Sequence, residues 1–183
     1  MDETNIKNII ENLIETFLNA GNVALNLRIK GLKKEIKSDN TPVSNGDMEV
    51  NRLITKKLIE LTPEIPIVSE ESTKNKSTKN LKDFWLVDPI DGTYDYINNK
   101  DEFTINAGLI LNKKPVAGLI YAPAKKRLFY TFKKNFAFEL TNEKLTKLEC
   151  KKINKENSIR VVSYSDNLKP EIKKIHKELG VNE

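Results

Sequence analysis

Asp88 and Asp91 stand three residues apart behind the apolar run Phe84-Trp85-Leu86-Val87, in the stretch FWLVDPIDGTYDYI. Carboxylates this close repel unless a proton or a cation intervenes. The carbonyl of Ile90 falls between them, so three hard oxygen donors lie within four residues, a set suited to Mg²⁺. Pro89 fixes its φ and removes a backbone donor, which stiffens what reads as a tight turn closing a strand over 84–87. Glu70 and Glu71 end another short apolar stretch, EIPIVSEES. If the two strands lie side by side, Glu70 joins the aspartates. Three carboxylates can then hold two divalent ions ~3.5–4 Å apart, the arrangement used to hydrolyse phosphate esters. Gly92 leaves room for a phosphate, and the N–H groups of Gly92 and Thr93 open a helical turn expected over 93–97, a natural anion site. The competing reading is an Asp-Pro, Asp-Gly turn with solvated acids; Glu70 weighs against it.

Several elements must position these groups. Ile6, Ile10, Leu13, Phe17 and Ala24 recur at helical spacing, which predicts a long amphipathic helix over 4–28. Residues 29–43 carry Gly, Pro and a charge cluster and read as a mobile loop or short hairpin. A second helix is expected from Ser44, with Asp47 three positions on as a variant capping box. Pro63 ends it. After the 84–87 strand, FTINAGLIL, PVAGLIYA, RLFYTF and NFAFEL read as four strands of an antiparallel meander, with LNKKP as a hairpin loop. The charged run ECKKINKEN reads as a linker, SIRVVSYS as a strand, and NLKPEIKKIHKELG as a helix with Gly180 just past its end. The fold class expected is layered α+β, helices packed on an antiparallel sheet.

Composition narrows the field. At 183 residues and 38% hydrophobic content, the chain suits a globular protein with a sizeable core. No apolar run approaches the roughly 18 residues that span a bilayer. The acidic N-terminus lacks the pattern of a secretory signal, and a cytoplasmic location is expected. One cysteine and one histidine exclude a cysteine metal cluster, so any metal must be held by oxygen. The net charge of +5 comes from lysines scattered over every segment, and no nucleic-acid partner is expected. Trp85, inside the apolar run, reads as core.

These stretches resemble a known family. WLVDPIDGT resembles the signature of the inositol monophosphatase superfamily of Mg²⁺-dependent, lithium-sensitive phosphatases, which have a sugar-phosphatase-like αβα sandwich. VSEES resembles its upstream glutamate motif, and KSDNTPVSNGD the loop and helix start carrying its catalytic aspartate. The resemblance runs from about residue 5 to the end. It implies that Glu70, Asp88, the Ile90 carbonyl and Asp91 bind metal. It implies that Thr93 orients the attacking water, that Asp47 accepts the proton through it, and that Gly92 and Thr93 amides hold the phosphate. Glu71 is expected to support the site from behind, and Lys37 to be either a phosphate neutraliser or a solvated lysine.

Within the superfamily, KSDNTPV, EFTINAGLI and GLIYAPA are most similar to the CysQ branch, the 3′(2′),5′-bisphosphate nucleotidases that convert adenosine 3′,5′-bisphosphate to AMP and phosphate. Tyr94 and Asp95 stand where that branch usually has Lys-Glu, and inositol monophosphatase is the alternative. The family's second-domain Trp-Asp motif has no counterpart, because Trp85 is the only tryptophan. The expected organisation is therefore a metal-dependent phosphatase domain over 1–157 and an incomplete C-terminal α/β domain over 158–183. A small phosphorylated substrate is the expected partner. A homodimer is compatible with the apolar surface that unfinished strands expose. Two further readings stay open at this point: an inactive metal- or phosphate-binding fragment, and a nucleic-acid binder motivated by charge alone.

Overall fold

The computed structural model describes residues 1–37, 40–71, 80–134, 136–149 and 168–181. Helix α1 covers Glu3–Lys30, with the Asp2 side chain accepting from the N–H of Asn5 at its start. The strands β1 (Lys34–Ile36) and β2 (Pro42–Ser44) pair antiparallel, so the hairpin alternative for this region is the one realised. Helix α2 runs over Asn45–Leu61. Its Ser44–Asp47 capping box is complete: the Ser44 side chain accepts from Asp47 N–H, and Asp47 accepts from Ser44 N–H; the Ser44 hydroxyl also accepts from Gly46 N–H.

A sheet of seven strands carries the rest: β3 (Ile67–Ser69), β4 (Phe84–Asp91), β5 (Thr104–Leu111), β6 (Lys114–Ala122), β7 (Arg127–Lys133), β8 (Phe136–Thr141) and β9 (Lys144–Leu148), in that spatial order. β3 pairs parallel with β4; every later pairing is antiparallel. The short helix α3 (Thr93–Ile97) follows β4 directly. The loop between β5 and β6 is Asn112-Lys113, both at positive φ (51° and 62°), as a two-residue hairpin of this twist requires. The strand β9 was not anticipated: its side chains are almost all exposed, so no alternation of apolar and polar residues marks it.

Helices α1 and α2 cover one face of the sheet. Ile10, Leu13 and Phe17 of α1, with Val50, Ile54 and Leu58 of α2, meet Trp85, Val87, Ile105 and Leu119 in one core. Trp85 is fully buried, and its Nε1–H donates to Thr62 Oγ1 at 3.0 Å. On the other face, Gly108 of β5 faces Gly118 of β6 across the ladder. The missing side chains there open a trough of about 500 Å³, flanked by the exposed Leu86 and Ile120, with Asp88 and Asn106 also lining it.

The chain divides into two compact units, Met1–Leu148 and Glu149–Glu183. In the second, helix α4 covers Pro170–Glu178, and Gly180 follows it at φ +67°, as expected of a residue past a helix end. The strand expected from SIRVVSYS lies outside the described residues.

Candidate active site

The turn expected at Asp88-Pro89-Ile90-Asp91 is instead a continuation of β4, because neighbouring strands hold the backbone extended. Asp88 pairs with Asn106 and Asp91 with Thr104, with a register shift between them. This bulge decides the chemistry. In a regular strand, residues three apart point to opposite faces. Here Trp85, Val87 and Pro89 point into the core, Ile90 is buried immediately after Pro89, and Asp88 and Asp91 both emerge on the face away from the core. Proline is tolerated at such a bulge because one ladder donor is already lost. Gly92 then takes φ +90° with its α-carbon against the next segment; a Cβ would lie 2.7 Å from the Glu102 carbonyl oxygen, so only glycine fits.

The parallel partner brings Glu70 in. Ser69 registers with Val87, and the Glu70 N–H donates to the Val87 carbonyl at 3.2 Å, which sets Glu70 beside Asp88. Asn51 of α2 steadies this strand end by accepting from Ser69 Oγ at 2.6 Å. Burial first, then the charges of Glu70 and Asp91 and a hydrogen bond shared with Glu70, push the Asp88 carboxyl up to about 7. Asp47 adds to this push. Asp88 Oδ1 is buried and has no hydrogen-bond partner.

Asp47, 1% exposed, reaches the cluster from the start of α2. Its Oδ2 accepts from Ser44 N–H and Ser44 Oγ–H at 2.8 and 2.6 Å. Its Oδ1 lies 3.2 Å from Thr93 Oγ1, which is also 2.9 Å from the Ile90 carbonyl oxygen. The threonine has one proton for these two acceptors. Burial raises the Asp47 carboxyl above its usual range, although the bonds from Ser44 and Thr93 oppose this.

Lys37 is not a solvated lysine. Its Nζ bonds Glu70 Oε1 at 2.9 Å and Glu71 Oε1 at 2.7 Å, with only 10% of its side chain exposed. Burial lowers its pKa, but the bonds and charges of the two glutamates outweigh this and raise it. With Glu70 turned to Lys37, no three acidic, histidine or cysteine side chains among the described residues are gathered closely enough to hold an ion as they stand.

All the sequence-derived residues thus converge on the end of β4: Glu70, Asp88, Ile90, Asp91, Gly92, Thr93 and Asp47. Two neighbours escaped the sequence reading. Ser44 was seen as a helix cap but also grips Asp47. Asn106 was passed over inside EFTINAGLI, although it sits polar between the buried Ile105 and Ala107. Its Nδ2 donates to Asp91 Oδ2 at 3.2 Å.

The family model described as inositol monophosphatase family matches residues 5–181. Similar to this chain is the 3′(2′),5′-bisphosphate nucleotidase CysQ of Haemophilus influenzae, 34% identical over 134 residues, covering 72% of this chain and 50% of that protein. A crystal structure of CysQ from Bacteroides thetaiotaomicron superposes with a TM-score of 0.66 at 25% identity, over 96% of this chain and 71% of that one. An IMPase/NADP phosphatase solved with Mg²⁺ and phosphate shares the fold, with a TM-score of 0.64 at 22% identity, over 73% of this chain and 51% of that one. The chain spans about half the length of the curated relatives it matches. A match over nearly its whole length, together with these relatives, settles its membership: the chain belongs to the inositol monophosphatase family.

Proposed function

We propose that this chain carries the catalytic site of a Mg²⁺-dependent phosphomonoesterase acting on 3′(2′),5′-bisphosphate nucleotides, with adenosine 3′,5′-bisphosphate as substrate and AMP and phosphate as products. The observation that carries the reading is Asp88: a part-buried carboxyl, pressed by Glu70 and Asp91, whose buried Oδ1 has no hydrogen-bond partner. Such a group calls for a cation, and an all-oxygen donor set fits Mg²⁺. Similarity to CysQ proteins supports the nucleotide, and the fold shared with a phosphatase solved with Mg²⁺ supports the ion.

Glu70, Asp88, Asp91 and the Ile90 carbonyl are the residues assigned to the metal, with Glu70 turning from Lys37 to reach it. When bound, Mg²⁺ supplies positive charge for the phosphate oxygens and lowers the pKa of a coordinated water. The chain's own groups do the rest. Ser44 holds Asp47 from two sides, so its Oδ1 stays aimed at Thr93. With its proton directed to Asp47, Thr93 Oγ1 presents lone pairs to the attacking water and orients it. The raised affinity of Asp47 for protons suits an acceptor at the end of that relay. Gly92 and Thr93, which open α3, are assigned to the phosphate, and the Glu102 carbonyl packed against Gly92 holds that turn in place.

Phosphate release from adenosine 3′,5′-bisphosphate and from inositol 1-phosphate, with Mg²⁺ and with EDTA, tests the reading. Mg²⁺-dependent release favouring the nucleotide is expected. Preference for inositol 1-phosphate would move the assignment to inositol monophosphatase, and release unaffected by EDTA would remove the metal from it.

A further inference from the structure

We propose that Asn106 is a positioning residue of this site: its side-chain amide N–H fixes the Asp91 carboxylate, and its carbonyl oxygen accepts a hydrogen bond from a water carried by the bound divalent cation. This rests on the metal assignment above. Asn106 lies on β5 as the direct cross-strand partner of Asp88. Ile105 and Ala107 on either side point into the core, so Asn106 shares the face from which the two aspartates emerge. Its Nδ2 is 3.2 Å from Asp91 Oδ2. A carboxylate can only accept, so the –NH₂ end must face Asp91, and this fixes where the amide oxygen points. That oxygen is buried and has no partner, and the same holds for Asp88 Oδ1 on the residue opposite. Directly opposed side chains on an antiparallel pair are close neighbours. Two partnerless acceptors so placed call for a donor or a cation between or beside them, and leaving either bare is costly. A methyl at position 106 could only fill space, and a hydroxyl would have to donate and accept at a single atom; an amide separates the donor to Asp91 from an acceptor directed elsewhere.

The test is a Mg²⁺ titration of the full chain, ¹⁵N-labelled, followed through the Asn106 side-chain –NH₂ resonances and by calorimetry. The –NH₂ pair is expected to shift with a midpoint equal to the calorimetric Kd. Asn106→Leu is expected to bind Mg²⁺ about tenfold more weakly, the usual effect of removing a group that orients a ligand. Asp91→Asn, measured alongside, separates the two ideas. If Asp91→Asn loses binding while Asn106→Leu keeps the wild-type Kd and the wild-type –NH₂ pair stays still, the role of Asn106 is overturned alone. If wild type binds no Mg²⁺, or Asp91→Asn binds as well as wild type, the metal assignment falls and this inference with it. The resonance readout needs no variant to fold, and a purely structural asparagine would lower Tm without moving Kd.

Discussion

Replacing Asp88 by Asn should stabilise the metal-free protein while removing its response to Mg²⁺. Asp88 titrates near 7 in the folded chain, against 3.8 for an ordinary aspartate. Because the folded value is raised, the folded chain holds the proton more tightly. The resulting penalty is absent below about pH 4, accumulates as pH rises, and is complete above about 7. At 1.36 kcal/mol per tenfold change in proton affinity, the full gap is worth roughly 4 kcal/mol. Asp88 is only part-buried, so solvent screens its neighbours' charges, and about 2 kcal/mol is the working figure. For a chain of this size that corresponds to a gain of about 6 °C in Tm. Thermal unfolding of wild type and Asp88→Asn in EDTA should show this gain at pH 8 and less than half of it at pH 4. Adding Mg²⁺ at pH 8 should then raise the Tm of wild type only. A gain of equal size at both pH values, or a lower Tm for Asp88→Asn at pH 8, would refute the claim that crowded carboxylates strain this site.

Thr93→Val keeps the shape of α3 but removes the hydroxyl between Asp47 and Ile90; turnover should fall by about 10²–10⁴ with Mg²⁺ affinity by calorimetry unchanged. Gly46→Ala would put a Cβ 2.3 Å from the Tyr96 hydroxyl, which donates to the Ala24 carbonyl; chemical denaturation should show a loss of about 1–3 kcal/mol from overpacking.

Much of the scaffold was legible because the relevant signals are local. The 3.6-residue spacing of Ile6, Ile10, Leu13 and Phe17 marks α1, and Ser44 with Asp47 marks the start of α2. Glu70, Asp88 and Asp91 could be nominated from their close spacing and from the stretches VSEES and WLVDPIDGT, which resemble the family's motifs. What escaped depends on chain segments distant in sequence. Asp88, Pro89 and Asp91 carry turn chemistry, and pairing with β5 keeps that segment extended. Lys37 meets Glu70 and Glu71 across more than thirty residues, so its partners are a property of the fold alone. Asn106 matters only because β5 sets it against Asp88. β9 has an exposed side-chain pattern with nothing for periodicity to detect.

The irregularity in β4 makes this locus intolerant of a change in length as well as of a change in its acids. Inserting one residue into β5 between Thr104 and Asn106 would give both strands three steps there, restore ordinary alternation and swing one acid toward the helices, though every donor atom remained in the gene product. Libraries aimed at altered selectivity should therefore keep Asp88 and Asp91, leave the residue counts of β4 and β5 untouched, and vary composition elsewhere around the site.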